Sequence, residues 1–125
     1  RNNCDFILYK KPSMYALELK TTSGTSIPFD KESNKCSGIK KNQIDGLTKM
    51  SGYEIVCGFI LNFRKTSNTY FMGINEFNDF LNNTDKKSLN EKDIIAYNGI
   101  LLIATKKRVR YTYDLSFLWN KEEGT

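Results

Sequence analysis

The chain contains no histidine. That absence removes Ser-His-Asp hydrolysis, Cys-His proteolysis, His-ligated zinc and every nuclease mechanism that uses a histidine base. Cysteine is scarce: Cys4, Cys36 and Cys57 have no metal-ligand spacing. An odd number of scattered cysteines argues for reduced thiols and a cytoplasmic setting. Cys57 lies inside an apolar run and reads as a small core residue. No apolar run is long enough to span a membrane, and none reads as a signal peptide. Internal repeats and a Gly-rich phosphate loop are also missing. Hydrolytic chemistry must therefore rest on carboxylates, lysine, tyrosine, cysteine or a metal ion.

The chain has 125 residues, the length of one domain with one real core. Hydrophobic residues make up 39% and aromatics 13%, which excludes a disordered chain. Nineteen Lys and Arg stand against fourteen Asp and Glu, a net charge of +5. The sequence pI is about 9.1. That balance points to an anionic partner, nucleic acid first. A basic soluble domain with no nucleic-acid role is the plainer alternative.

The stretch from Asp5 to Thr22 organises the rest. Phe6 to Tyr9 and Met14 to Thr21 read as two antiparallel strands, joined by a turn at Lys10, Lys11, Pro12 and Ser13. Alternation puts Tyr15, Leu17, Leu19 and Thr21 on one face. Ala16, Glu18, Lys20 and Thr22 share the other. Asp5 opens the first strand, so a hairpin brings it beside Glu18 and Lys20. Two carboxylates with water make a site for a hard cation such as Mg2+, which holds phosphate and polarises it. Lys20 would orient a water or hold phosphate as a point charge. An ordinary strand-face ion pair is the alternative. A second such triplet, Asp85-Lys86-Lys87, sits in a polar run without strand pattern and is set aside.

Ser23 to Gly38 reads as an irregular connection pinned by Ile27, Pro28 and Phe29. Ile39 to Ser51 reads as a helix with Ser37 as N-cap and Gly52 just past its end. Gln43, Leu47 and Met50 share a face that Ile44 extends, so a buried Gln43 needs a partner. Lys40 and Lys41 stand in the first turn against the helix dipole. They make sense if free backbone N–H groups there face phosphate, or else as two solvated lysines.

Glu54 to Phe63 is a near-continuous apolar run, the mark of a central strand covered on both faces. Thr69 to Ile74 pairs with it across a turn at Arg64–Asn68. Asn75 caps a short helix, Glu76 to Leu81, with Phe77, Phe80 and Leu81 inward. After a polar loop, Leu89 to Tyr97 reads as a second short helix with Ile94, Ile95 and Tyr97 packing. Ile100 to Ile103 is extended. Lys106, Lys107, Arg108 and Arg110 form the densest basic cluster. In Arg108 to Asp114 the basic residues alternate with Val109, Tyr111 and Tyr113. That gives either a phosphate-tracking strand or a charge-protected edge. Asp114 caps a last helix, Leu115 to Asn120, before a frayed tail.

This order resembles the PD-(D/E)XK nucleases, and within them the RecU-type Holliday junction resolvases. The resemblance is carried by CDF at Cys4–Phe6, ALELKTTSGTSIPF at Ala16–Phe29 and NQIDGLTKM at Asn42–Met50, with the following apolar strand and RVRYTYDL. It implies an α/β fold with a restriction-endonuclease-like core, a mixed β-sheet flanked by helices. It also implies Asp5 and Glu18 as metal ligands, the Leu19 carbonyl as a third, Lys20 as catalytic lysine and Gln43 as supporting glutamine. Thr22 would lie beside them. Mg2+, or Mn2+ in its place, would be the cofactor. A homodimer is implied, since two symmetric incisions of a four-way DNA junction need two sites. The family's N-terminal helix and basic stalk are expected upstream of Asp5; the chain begins with Arg rather than Met.

The combined expectation is a metal-dependent endonuclease that resolves four-way junctions, with Thr22, Lys40, Lys41, Lys106, Lys107, Arg108 and Arg110 on the DNA backbone. A restriction-like or repair endonuclease on duplex DNA, and a non-catalytic DNA-binding module of the same fold, are the alternatives.

Overall fold

A computed structural model describes residues 6–10, 13–102, 104–107 and 110–113. The elements are β1 (Phe6–Lys10), β2 (Ser13–Thr22), β3 (Ser26–Pro28), α1 (Lys41–Ser51), β4 (Ile55–Phe63), β5 (Asn68–Gly73), α2 (Ile74–Asn82), β6 (Ser88–Asn90), α3 (Glu91–Ala96), β7 (Ile100–Leu102), β8 (Ala104–Lys107) and β9 (Arg110–Tyr113). Five strands form one mixed sheet in the order β1-β2-β4-β5-β7. β2 and β4 are parallel; the other neighbours are antiparallel. A parallel pair needs a long crossover, and the β3–loop–α1 segment supplies it. The result is an α/β architecture consistent with a restriction-endonuclease-like core.

β4 lies in the middle because both its faces are apolar. Cys57, Phe59, Leu61 and Phe63 point into a core shared with α1, α2 and α3, through Leu47, Phe77, Phe80 and Ile94 among others. Ile60 points the other way, into a smaller cluster with Tyr15, Leu17, Phe71 and Leu102. The helix-side core is tied by edge-to-face aromatic contacts. Phe77 packs against Phe59 at 5.0 Å and against Phe29 at 5.8 Å, ring centroid to ring centroid. Among the described residues no helix is long and apolar enough to cross a membrane.

Several expected elements shift. The Ser23–Gly38 connection contains β3, which pairs antiparallel with β6 some sixty residues on: Ile27 faces Leu89. Leu89 is therefore strand, and the following helix starts at Glu91, capped by Asn90, whose side chain accepts from the Asp93 N–H at 2.9 Å. Ile95 is 61% exposed rather than packed. Ser37 and Asn75 are not N-caps; Lys40 and Gly73 hold those places. Phe29 and Ile39 bridge instead, with the Ile39 N–H donating to Pro28 O at 2.9 Å. A Cβ on Gly38 would meet that same Pro28 oxygen at 2.0 Å, so this crossing requires glycine. The Asp114 cap, the Leu115–Asn120 helix and the tail lie outside the described residues.

Phe77 is fully buried at the meeting point of Phe29, Phe59 and Phe80. Phe77→Ala should lower stability by about 3–5 kcal/mol, read from the urea midpoint at unchanged slope.

Candidate active site

β2 is the strand that carries Glu18 and Lys20, the pair the sequence singles out. Its alternation sends Tyr15 and Leu17 to one face and Ala16 into the helix-side core, as the sequence pattern predicts. Glu18 and Lys20 follow Ala16 on the helix side. Their partners across the parallel ladder are Phe59 and Leu61, both fully buried. Glu18 is only 4% exposed, an unusual place for a carboxylate unless it is held by partners.

The partners are present. Lys20 Nζ stands 3.6 Å from Glu18 Oε2. Gln43, in the first turn of α1, donates from Nε2 to the same oxygen at 2.9 Å. Gln43 Oε1 in turn accepts from the Lys40 N–H at 3.0 Å. That second bond fixes the amide's orientation. An oxygen facing a backbone N–H leaves only the NH2 group for the carboxylate. So the glutamine expected to need a partner finds one 25 residues back in the chain.

The start of α1 lacks the backbone donors that the phosphate-facing reading of Lys40 and Lys41 requires. Its first-turn N–H groups are not free. Lys41 N–H donates to Ser33 O at 3.2 Å, and Asn42 N–H to Asn34 Oδ1 at 2.8 Å. Gln43 N–H donates to Lys40 O at 3.0 Å. The loop before the helix closes the anion-receptive end, so no backbone cradle for phosphate exists there. Asp30 holds that loop by accepting from the Glu32 and Ser33 N–H groups at 2.9 Å and from the Ser33 hydroxyl. The Ser33 hydroxyl, then these backbone donors, hold the Asp30 carboxyl below its usual range. Lys41 pairs with Asp45 one turn on, while Lys40 enters no ion pair among the described residues.

The remaining expected residues are spread more widely. The Thr22 hydroxyl closes the β2–β3 turn, donating to Ser26 O at 3.2 Å and accepting from the Gly24 N–H at 3.0 Å. Leu19 turns its side chain to the opposite face, 48% exposed. Lys106, Lys107 and Arg110 lie on the β8–β9 ribbon, with Lys107 paired to Arg110. Asp5 and Arg108 lie outside the described residues, and the ladder's last described pair is Phe6 with Leu17. Among the described residues no group of three His, Cys, Asp or Glu side chains could hold a metal.

One polar cluster has no counterpart in the sequence reading. Glu91 accepts from Tyr70 OH at 2.5 Å, Asn68 Nδ2 at 2.9 Å and Thr66 Oγ1 at 3.0 Å. Thr66, Asn68 and Tyr70 at i, i+2 and i+4 were a readable one-face pattern; Glu91, 21 residues beyond Tyr70, was not. Burial pushes the Glu91 carboxyl up, but the three donors outweigh it and hold it below its ordinary value of 4.5. Burial, then the Glu91 contact, pushes the Tyr70 hydroxyl up to about 12. The lowered carboxyl contributes stability that is present above 4.5 and lost as pH falls beneath it. The raised phenol contributes stability present below 10.0 and lost as pH climbs towards about 12. Glu91→Gln should therefore narrow its stability deficit against wild type as pH drops below 4.5, measured by denaturant unfolding across a pH series.

The family model described as Recombination protein U matches residues 1–116. The SPbeta prophage-derived uncharacterized protein YotM of Bacillus subtilis (strain 168) is 34% identical over 131 residues, covering 94% of this chain. The chain spans 65% of that relative's length. The family match takes in every strand of the sheet, the Glu18–Lys20 pair and the glutamine of α1, and the chain belongs to the Recombination protein U family.

Proposed function

We propose that this chain is the nuclease part of a Mg2+-dependent endodeoxyribonuclease that cuts four-way DNA junctions in recombination and repair. One observation carries the reading. A carboxylate 4% exposed, Glu18, is held on one oxygen by Lys20 at 3.6 Å and by an orientation-locked Gln43 at 2.9 Å. A structural ion pair gains little from such burial, because desolvation offsets the attraction. Membership of the Recombination protein U family supports the same conclusion.

The donor chemistry fits a hard cation. Glu18 carboxylate, the Asp5 carboxylate and the Leu19 carbonyl are all oxygen ligands, the kind Mg2+ takes and Mn2+ also accepts. Asp5 precedes Phe6, whose ladder partner Leu17 adjoins Glu18. When bound, the ion would supply Lewis-acid stabilisation of charge on the phosphoryl group. Lys20 orients the attacking water and presents a positive charge to the scissile phosphate. Gln43 keeps the Glu18 carboxylate from turning away. Thr22, Lys40, Lys41 and the basic residues Lys106, Lys107, Arg108 and Arg110 serve the DNA backbone. A homodimer, working in the cytoplasm, would supply the two sites for paired incisions.

Glu18→Ala and Lys20→Ala should each cut a synthetic four-way junction at least about 100-fold more slowly with Mg2+. Junction binding without divalent cation should persist. Gln43→Ala, which removes only the support, should cost about 10–100-fold. A Lys20→Ala protein that cuts as fast as wild type would make this reading wrong.

A further inference from the structure

The turn between β4 and β5, Arg64–Ser67, presents two exposed cations, Arg64 and Lys65. Among the described residues neither enters an ion pair. An acid is close at hand, yet it does not neutralise them. Glu91 is engaged instead by three uncharged donors, of which Thr66 and Asn68 sit within or beside the turn. The turn is thus clamped while its charges stay available.

The main chain clamps it from the other side as well. Arg64 N–H donates to Thr22 O at 3.0 Å, and Ser67 N–H to Arg64 O at 3.3 Å, with Ser67 at φ 59°. Thr22 pairs with Phe63 and Lys20 with Leu61, so the turn stands at the β2 end just past Lys20. Asn62 and Phe63 separate Leu61, the ladder partner of Lys20, from Arg64, about 10 Å along the strand. Of the pair at the start of α1, by contrast, Lys41 is bound to Asp45. Arginine adds a planar fork that matches phosphate geometry.

We propose that the β4–β5 turn is a phosphate anchor beside the site: Arg64 and Lys65 hold the DNA backbone past Lys20, and Glu91 is the positioning residue that fixes the turn. The proposal rests on the DNA-cleaving reading above and adds to it the side on which a DNA arm leaves the site.

The test is the salt dependence of binding to a synthetic four-way junction, and to a linear duplex of the same sequence, without divalent cation. Arg64→Ala with Lys65→Ala should lower the log–log salt slope by about 1–2. The swap of Arg64→Lys with Lys65→Arg should keep the wild-type slope. Lys49→Ala, at the far end of α1, should keep it too. Glu91→Gln retains both cations and should still lower the slope, which a merely structural role would not do. An unchanged slope in the double alanine variant, or an equal fall in Lys49→Ala, overturns the anchor. An unchanged slope in Glu91→Gln overturns the positioning role. A protein that cuts junctions in a Lys20-dependent way with no slope change loses only this proposal; one that binds no DNA loses both.

Discussion

A negative charge buried in a β-sheet dictates much of this architecture. Glu18 sits between an apolar strand and a helix, almost out of water. Such a group is tolerable only if donors are held in place around it. Lys20 comes free of topology, two residues along the same strand. Gln43 does not, because α1 must arrive at the right height and angle to present its amide. The loop from Asp30 to Lys40, its Asx-type turn and its crossing under Pro28 all serve to set that arrival. Closing the helix N-terminus with Ser33 and Asn34 has the same effect, at the cost of a backbone phosphate cradle.

The sheet is what makes that placement stiff. β4 is covered on both faces, and β2 is fastened to it along the whole parallel ladder from Met14 to Thr22. Close-packed interiors do not deform gradually, so a side chain on β2 inherits the rigidity of the core beneath it. The aromatic contacts among Phe29, Phe59, Phe77 and Phe80 bring the pre-helix loop into the same core. Loop, helix and strand therefore form one mechanical unit around Glu18. The Glu91 cluster does a similar job at the other flank, joining α3 to the β4–β5 turn.

Some of this was readable residue by residue. The hairpin, the faces of β2, the buried central strand and the inward Phe77, Phe80 and Leu81 follow from alternation and apolar runs. The errors share a physical cause. β3 and β6 are three residues each and exist only because Ile27 and Leu89 find one another across the fold. No local period marks such strands. Ser37 and Asn75 are good capping residues in isolation, but the chain turns elsewhere because the Phe29–Ile39 bridge and the Gly58–Gly73 pairing decide where the helices begin.

The amino-acid order alone determined which chemistry was available. With no histidine, one Glu-x-Lys strand and one glutamine helix, the candidate residues were few, since side-chain type and strand period are local properties. Which of them meet was decided only in three dimensions. Gln43 reaches Glu18 across 25 residues, Glu91 gathers three donors from the β5 side, and Lys41 is claimed by Asp45. Those outcomes depend on how the crossover lands on the sheet, a matter of packing between distant segments that no short window of sequence encodes.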